Sequence, residues 1–157
     1  MSAQQSVNVG NLPGLFAGLA GRVQQLDCTR PLRAVALYLE SQAKRSFASQ
    51  AAPDGTPWAG WKRVPDQARG GPASKLLRDT DVLMASMTGQ GPDHVEDVTS
   101  VALIWGTAVP YGKYHQYGTA HVPARPFIGF TPQMGVRLEQ ILVDWIRRVL
   151  APQGGAP

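Results

Sequence analysis

Three histidines, one cysteine and a scatter of carboxylates are the side chains of this sequence whose types can do chemistry. His115 and His121 stand on either side of Gly118, and His94 is remote from both in sequence. A zinc site needs three or four nitrogen, sulfur or carboxylate ligands converging on one point. No acidic residue lies between or beside His115 and His121, so the pair does not complete a site. His115 reads instead as packed among Tyr111, Tyr114 and Tyr117. Cys28 is the single cysteine, which excludes an intrachain disulfide and any zinc site of repeated cysteines. Asp27 beside it disfavours the thiolate, so Cys28 reads as a packed or idle thiol. Asp79, Asp81, Asp93, Glu96 and Asp97 form two small groups. Paired carboxylates can hydrolyse glycosides, but only across a deep cleft, and a solvated acidic face is the simpler reading. A phosphate-cradling loop and a nucleophile elbow are both missing. Glycines 14, 18 and 21 miss the dinucleotide spacing, and no strand precedes them. The sequence therefore predicts no enzyme, no catalytic residue, no metal ligand and no cofactor.

Binding is better represented. Lys62, Arg63, Arg69, Lys75 and Arg78 follow closely on Trp58 and Trp61. Cations can neutralise nucleic-acid phosphates, and the indoles can stack on bases. The simpler reading of the same stretch is a mobile, solvated loop that orders only against a neighbouring subunit. The net charge of +4 and sequence pI near 9.6 permit contact with DNA without demanding it.

The elements that must position these residues read as follows. A chain of 157 residues, 43% apolar, fits one domain with one core. No run of about 18 apolar residues is present to span a membrane. The first residues do not read as a secretory signal, which makes the cytoplasm the expected site of synthesis. Residues 1–11 read as a mobile N-terminus, 12–150 as a single domain, and 151–157 as a disordered tail. Apolar spacing predicts a helix from Leu12 to Leu26, weakened by its glycines. A second helix starts with Thr29 as cap and Pro31 in the first turn, and ends near Ser49. Residues 52–74 read as a long loop, opening on the turn Pro53-Asp54-Gly55-Thr56-Pro57. Val82 to Met87 is a helical turn or a strand; His94 to Thr99 and Ser100 to Thr107 are two strands. Val109 to Gly118 is a short helix with a glycine stop, and Pro123 to Phe130 is extended. The last helix has Thr131 as cap and Pro132 at its first position, with Leu138, Ile141, Leu142, Trp145 and Val149 on one face.

Several of these patterns recur together in a known order. They are Pro53-Asp54-Gly55-Thr56-Pro57-Trp58, then Leu77-Arg78-Asp79-Thr80-Asp81-Val82-Leu83, then Pro110-Tyr111-Gly112-Lys113-Tyr114-His115-Gln116-Tyr117-Gly118, then Pro123-Ala124-Arg125-Pro126-Phe127, before a terminal helix. Over roughly residues 30–150 the chain resembles the phage virion morphogenesis family, the tail-completion proteins of Mu-like tailed phages. One departure stands out: the family usually has Thr-Gly-x-Leu where this chain has Thr80-Asp81-Val82-Leu83, and glycine accommodates positive φ more readily than aspartate.

The resemblance implies an α+β domain, with helices packed on a small, mostly antiparallel β-sheet and a long central loop. It implies a structural assembly protein without catalysis. Such a protein sits at the head–tail junction or head-proximal tail end of the virion, and in host cytoplasm during assembly. Its partners would be copies of itself in a ring, sixfold to match the tail tube, and other neck and tail proteins. Copies in a ring meet through heterologous interfaces, for which Trp58, Trp61, Tyr111, Tyr114, Tyr117 and Phe127 are suitable anchors. Arg125 suits a bidentate pair with an acidic group next door. For the tyrosines a core role is equally open, and Arg125 can instead tie its extended segment to the chain's own sheet. Lys62, Arg63, Arg69 and Lys75 become a channel-facing or DNA-facing basic loop. The alternative function is a small basic nucleic-acid-binding module of a phage genome.

Overall fold

A computed structural model describes residues 21, 26–60 and 75–150. The expected mobile N-terminus, nearly all of the expected helix at 12–26, the second half of the central loop and the C-terminal tail lie outside the described residues. Among the described residues the order is α1 (Thr29–Ser49), α2 (Val82–Met87), β1 (His94–Val98), β2 (Leu103–Thr107), α3 (Gly112–Tyr117) and α4 (Pro132–Leu150). The class is α+β, as expected: helices accompany one two-stranded antiparallel sheet. No helix among the described residues is long and apolar enough to cross a membrane.

Helix α1 is the spine. Pro31 sits in its first turn, where a missing N–H is harmless, and its inner stripe of Val35, Ala36, Ala43 and Phe47 is buried. The cap differs from expectation. Thr29 is the first helical residue, and the Asp27 carboxylate accepts from both its N–H and its hydroxyl. Those hydrogen bonds hold the Asp27 pKa below the usual carboxylate value. The helix ends at Gln50, which takes a left-handed conformation at φ 56° and donates its N–H to the Ser46 carbonyl.

The hairpin pairs His94 with Thr107 and runs to Val98 with Leu103. Thr99 builds its turn, with Oγ1 accepting from the N–H groups of Val101 and Ala102. The second strand therefore starts three residues later than the alternation predicts. With only two strands the sheet buries little: Leu103 and Trp105 are half-buried, while Ile104 is exposed. Helix α4 begins as its sequence predicts. Thr131 Oγ1 accepts from Met134 N–H at 3.2 Å, Met134 is buried, and the helix packs along α1. Of the expected apolar stripe, Leu138, Ile141, Leu142 and Trp145 are half-buried and Val149 is exposed.

The main core comprises Ala43, Phe47, Trp58, Leu83, Met87, Val109 and Phe127. Phe47 is wholly buried at its centre, with Trp58 edge-on at 5.6 Å and Phe127 tilted against it at 5.8 Å. Two of those three rings come from chain with no regular structure. The turn that delivers Trp58 closes as predicted: Ala52 N–H donates to Thr56 O at 2.8 Å, Asp54 Oδ1 accepts from Thr56 N–H, and Gly55 supplies φ 89°.

Segment 82–87 resolves as a helix because of what precedes it. Asp81, at the position where the family usually has glycine, adopts φ 56° and ψ 5°. The backbone thus keeps the conformation that glycine would favour. Arg78 compensates with a bidentate pair, Nε to Oδ1 at 2.7 Å and Nη2 to Oδ2 at 2.9 Å. This bond holds the Asp81 carboxyl below its usual pKa.

Two substitutions separate the backbone from the charge. Asp81→Gly and Asp81→Ala both lose the carboxylate, so the left-handed conformation should leave the alanine variant about 1 kcal/mol the less stable of the two. Asp81→Asn isolates the charge. Because the folded-state pKa is depressed, the wild-type advantage over Asp81→Asn is present above about pH 4 and disappears as pH falls through the folded value. Urea denaturation of the variants across pH checks both expectations.

Candidate assembly surface

Among the described residues the extended segment after α3 has no neighbouring strand, so its backbone polar groups need other partners. Helix α3 supplies them. His115 O accepts from Arg125 N–H at 2.7 Å. The Gln116 side chain accepts from Phe127 N–H and Ile128 N–H, each at 3.1 Å, and donates to Ile128 O at 2.6 Å. From the far side Trp58 Nε1 donates to Pro126 O at 2.7 Å. Gly118 ends α3 at φ 77°, and a Cβ there would stand 2.8 Å from Ala124 N. Both facts require glycine. The Tyr-His-Gln-Tyr-Gly and Pro-x-Arg-Pro-Phe patterns are thus one interlocked unit.

Arg125 carries the interlock to the central loop. It is only 2% exposed, and its guanidinium donates from Nε to Ala59 O at 2.7 Å and from Nη2 to Gly60 O at 3.0 Å. Burial lowers its pKa from the ordinary value, yet a guanidinium stays charged at any working pH. The loop's return is held by Gln50. Its backbone carbonyl accepts from Trp58 N–H at 2.9 Å, while its side chain exchanges hydrogen bonds with the backbone of Leu76. Trp58 and Leu76, on either side of the central stretch, are therefore anchored to one residue.

These contacts divide the sequence candidates. Trp58 and Phe127 are core, and Arg125 binds carbonyls of its own chain rather than the sheet. Tyr111, Tyr114 and Tyr117 face solvent, at 41%, 49% and 80% exposure. Lys113 Nζ lies 5.1 Å above the Tyr114 ring. Among the three tyrosines it is Tyr111 that meets the half-buried His115, edge-on at 6.0 Å. Burial, and then the Arg125 charge, push the His115 pKa down. Lys75 is exposed where the central stretch returns. Trp61, Lys62, Arg63 and Arg69 lie outside the described residues.

Sequence reading passed over Gln116 and Gln50. Gln116 left a signal, a polar side chain between two aromatic residues just ahead of a helix-stopping glycine. Gln50 left none, because its role depends on pairing with a residue twenty-six positions away. Phe130, 72% exposed, adds a further aromatic surface beyond Ile128, its ring resting on Gly135. The outward result is a set of exposed aromatic side chains on a backbone that hydrogen bonds fix in place.

Compared with known proteins, the chain matches the model of the phage virion morphogenesis family over residues 11–147. The match begins well ahead of residue 30, where the resemblance of the motifs starts, and so includes the glycine-bearing stretch at 12–26. No curated protein and no solved structure gives a significant match.

The interlock predicts two measurable effects. Arg125→Lys keeps a cation but loses the fork, so one of the two carbonyls loses its charged donor; the expected cost is about 1–3 kcal/mol in chemical denaturation. His115 gives a pH dependence of defined sign. Its folded pKa is depressed, while unfolded it takes up a proton near about pH 6.5, so its contribution is intact above that value and is lost as pH falls toward the folded pKa. His115→Gln should flatten that part of the stability profile.

Proposed function

The chain belongs to the phage virion morphogenesis family, and from that premise we propose that it completes the tail by forming a ring at the head-proximal tail end or head–tail junction. A role in building the virion follows from the family itself. The ring, its place and its sixfold symmetry are the proposal. The protein acts by binding and geometry rather than by catalysis.

The observation that carries this reading is the exposed tyrosine series of α3 on its immobilised backbone. Large aromatic side chains rarely stay in water without a use, and interfaces enrich them as anchors. A closed ring needs a patch on one copy that fits a different patch on the next. A helix held at its end by Gln116 and Gly118 presents such a patch without having to be ordered on contact, which removes part of the cost of association.

Light scattering and negative-stain imaging of the protein, alone and with phage tail tubes, test the proposal. The expected result is rings, or added density at one end of the tubes, with a copy number of six. Tyr114→Ser with Tyr117→Ser should abolish that binding while stability changes by no more than about 0.5 kcal/mol, as for exposed positions. A monomer that ignores tubes yet retards DNA in a salt-dependent way would overturn the ring and favour a nucleic-acid-binding module.

A further inference from the structure

Three potential ligands converge between α1 and β1. Glu40 comes from α1, and His94 and Glu96 come from β1. The three ligand atoms lie within 4.8 Å of one another. His94 Nδ1 is 2.7 Å from Ser86 O. A carbonyl oxygen can only accept, so Nδ1 carries the proton and, in the neutral ring, Nε2 presents a lone pair. That nitrogen is closed off from solvent and has no hydrogen-bond partner. It faces Glu40 Oε1 at 3.6 Å and Glu96 Oε2 at 3.7 Å. Three acceptors thus point at one another with no donor among them.

Both separations are longer than hydrogen bonds. A charge-assisted N–H···O bond closes to about 2.8 Å, and neither carboxylate has done so. A shared cation accounts for this geometry. Ligands about 2.1 Å from one ion stand about 3.4 Å apart at a tetrahedral angle, a few tenths of an ångström inside the two separations from Nε2. The Nδ1 bond to a backbone carbonyl is also the contact that orients metal-binding histidines. Gly89 passes close beside the Glu40 carboxylate: its φ is 72°, and an added Cβ would stand 2.8 Å from Oε1.

We propose that Glu40, His94 and Glu96 bind one divalent ion of the zinc type. Imidazole favours zinc over magnesium, and two carboxylates neutralise the charge. Three protein ligands leave a fourth position for water. The ion ties β1 to α1, beside a sheet that has two strands among the described residues. The sequence hides this site because the glutamate at 40 lies more than fifty residues from the other two ligands.

Calorimetric titration of chelator-treated protein with zinc, and separately with magnesium, tests the site alongside thermal unfolding. The expected result is one zinc per chain, a raised Tm, and a visible absorption band of low-coordinate cobalt when cobalt replaces zinc. Glu40→Gln and Glu96→Gln keep side-chain size; each should lower zinc affinity about tenfold or more while leaving the Tm of the metal-free protein near that of the wild type. Absence of saturable zinc binding by folded wild-type protein overturns the proposal. So does equal binding of magnesium, or zinc binding that both glutamine variants retain.

Discussion

The structure depends on one constraint: its core is closed by chain that forms neither helix nor sheet. A long helix and a two-stranded hairpin cannot enclose Phe47 between them. Trp58 and Phe127 complete the enclosure, and both arrive on extended segments. Extended backbone without a neighbouring strand has amides and carbonyls that water or side chains must satisfy. Near a core, side chains take over. Trp58 Nε1, the Gln116 amide, the Arg125 guanidinium and the Gln50 amide each bond to backbone of a separate segment. Their geometry stands where sheet hydrogen bonds would stand in a larger fold.

This explains why the most distinctive sequence patterns split between inside and outside. In the segment around α3, His115 and Gln116 turn toward the following chain, and the tyrosines turn outward. The inward residues set the position of the outward ones. Arg125 belongs to the inward set although its charge suggests a partner elsewhere; its fork is engaged by Ala59 and Gly60. A charged group serving two carbonyls also fixes where the central loop begins.

Much of the fold was legible in the sequence. The helix from Thr29 to Ser49, the terminal helix behind Thr131-Pro132 and the glycine stop at Gly118 follow from periodicity and capping, which are local. The hairpin was legible in outline, and its turn was misplaced because Val101 continues the apolar alternation while Thr99 makes the bonds that reverse the chain. Asp81 shows the opposite case: it takes a positive φ of the kind glycine favours, held by Arg78. The candidate residues were legible as a group but not in their roles. Burial of Trp58 and Phe127 and exposure of the tyrosines depend on contacts between segments far apart in the chain, and spacing alone carries no record of those.

The closure at Gln50 has an evolutionary side. Trp58 and Leu76, on either side of the central stretch, are both fastened to this one residue. Between two fastened points, lengthening a flexible chain costs only about 0.6 kcal/mol for each doubling, because the entropy of closing a loop grows logarithmically. Whatever the length of chain between them, the anchoring of Trp58 and Leu76 to Gln50 is therefore the feature that has to be kept for both to reach the core.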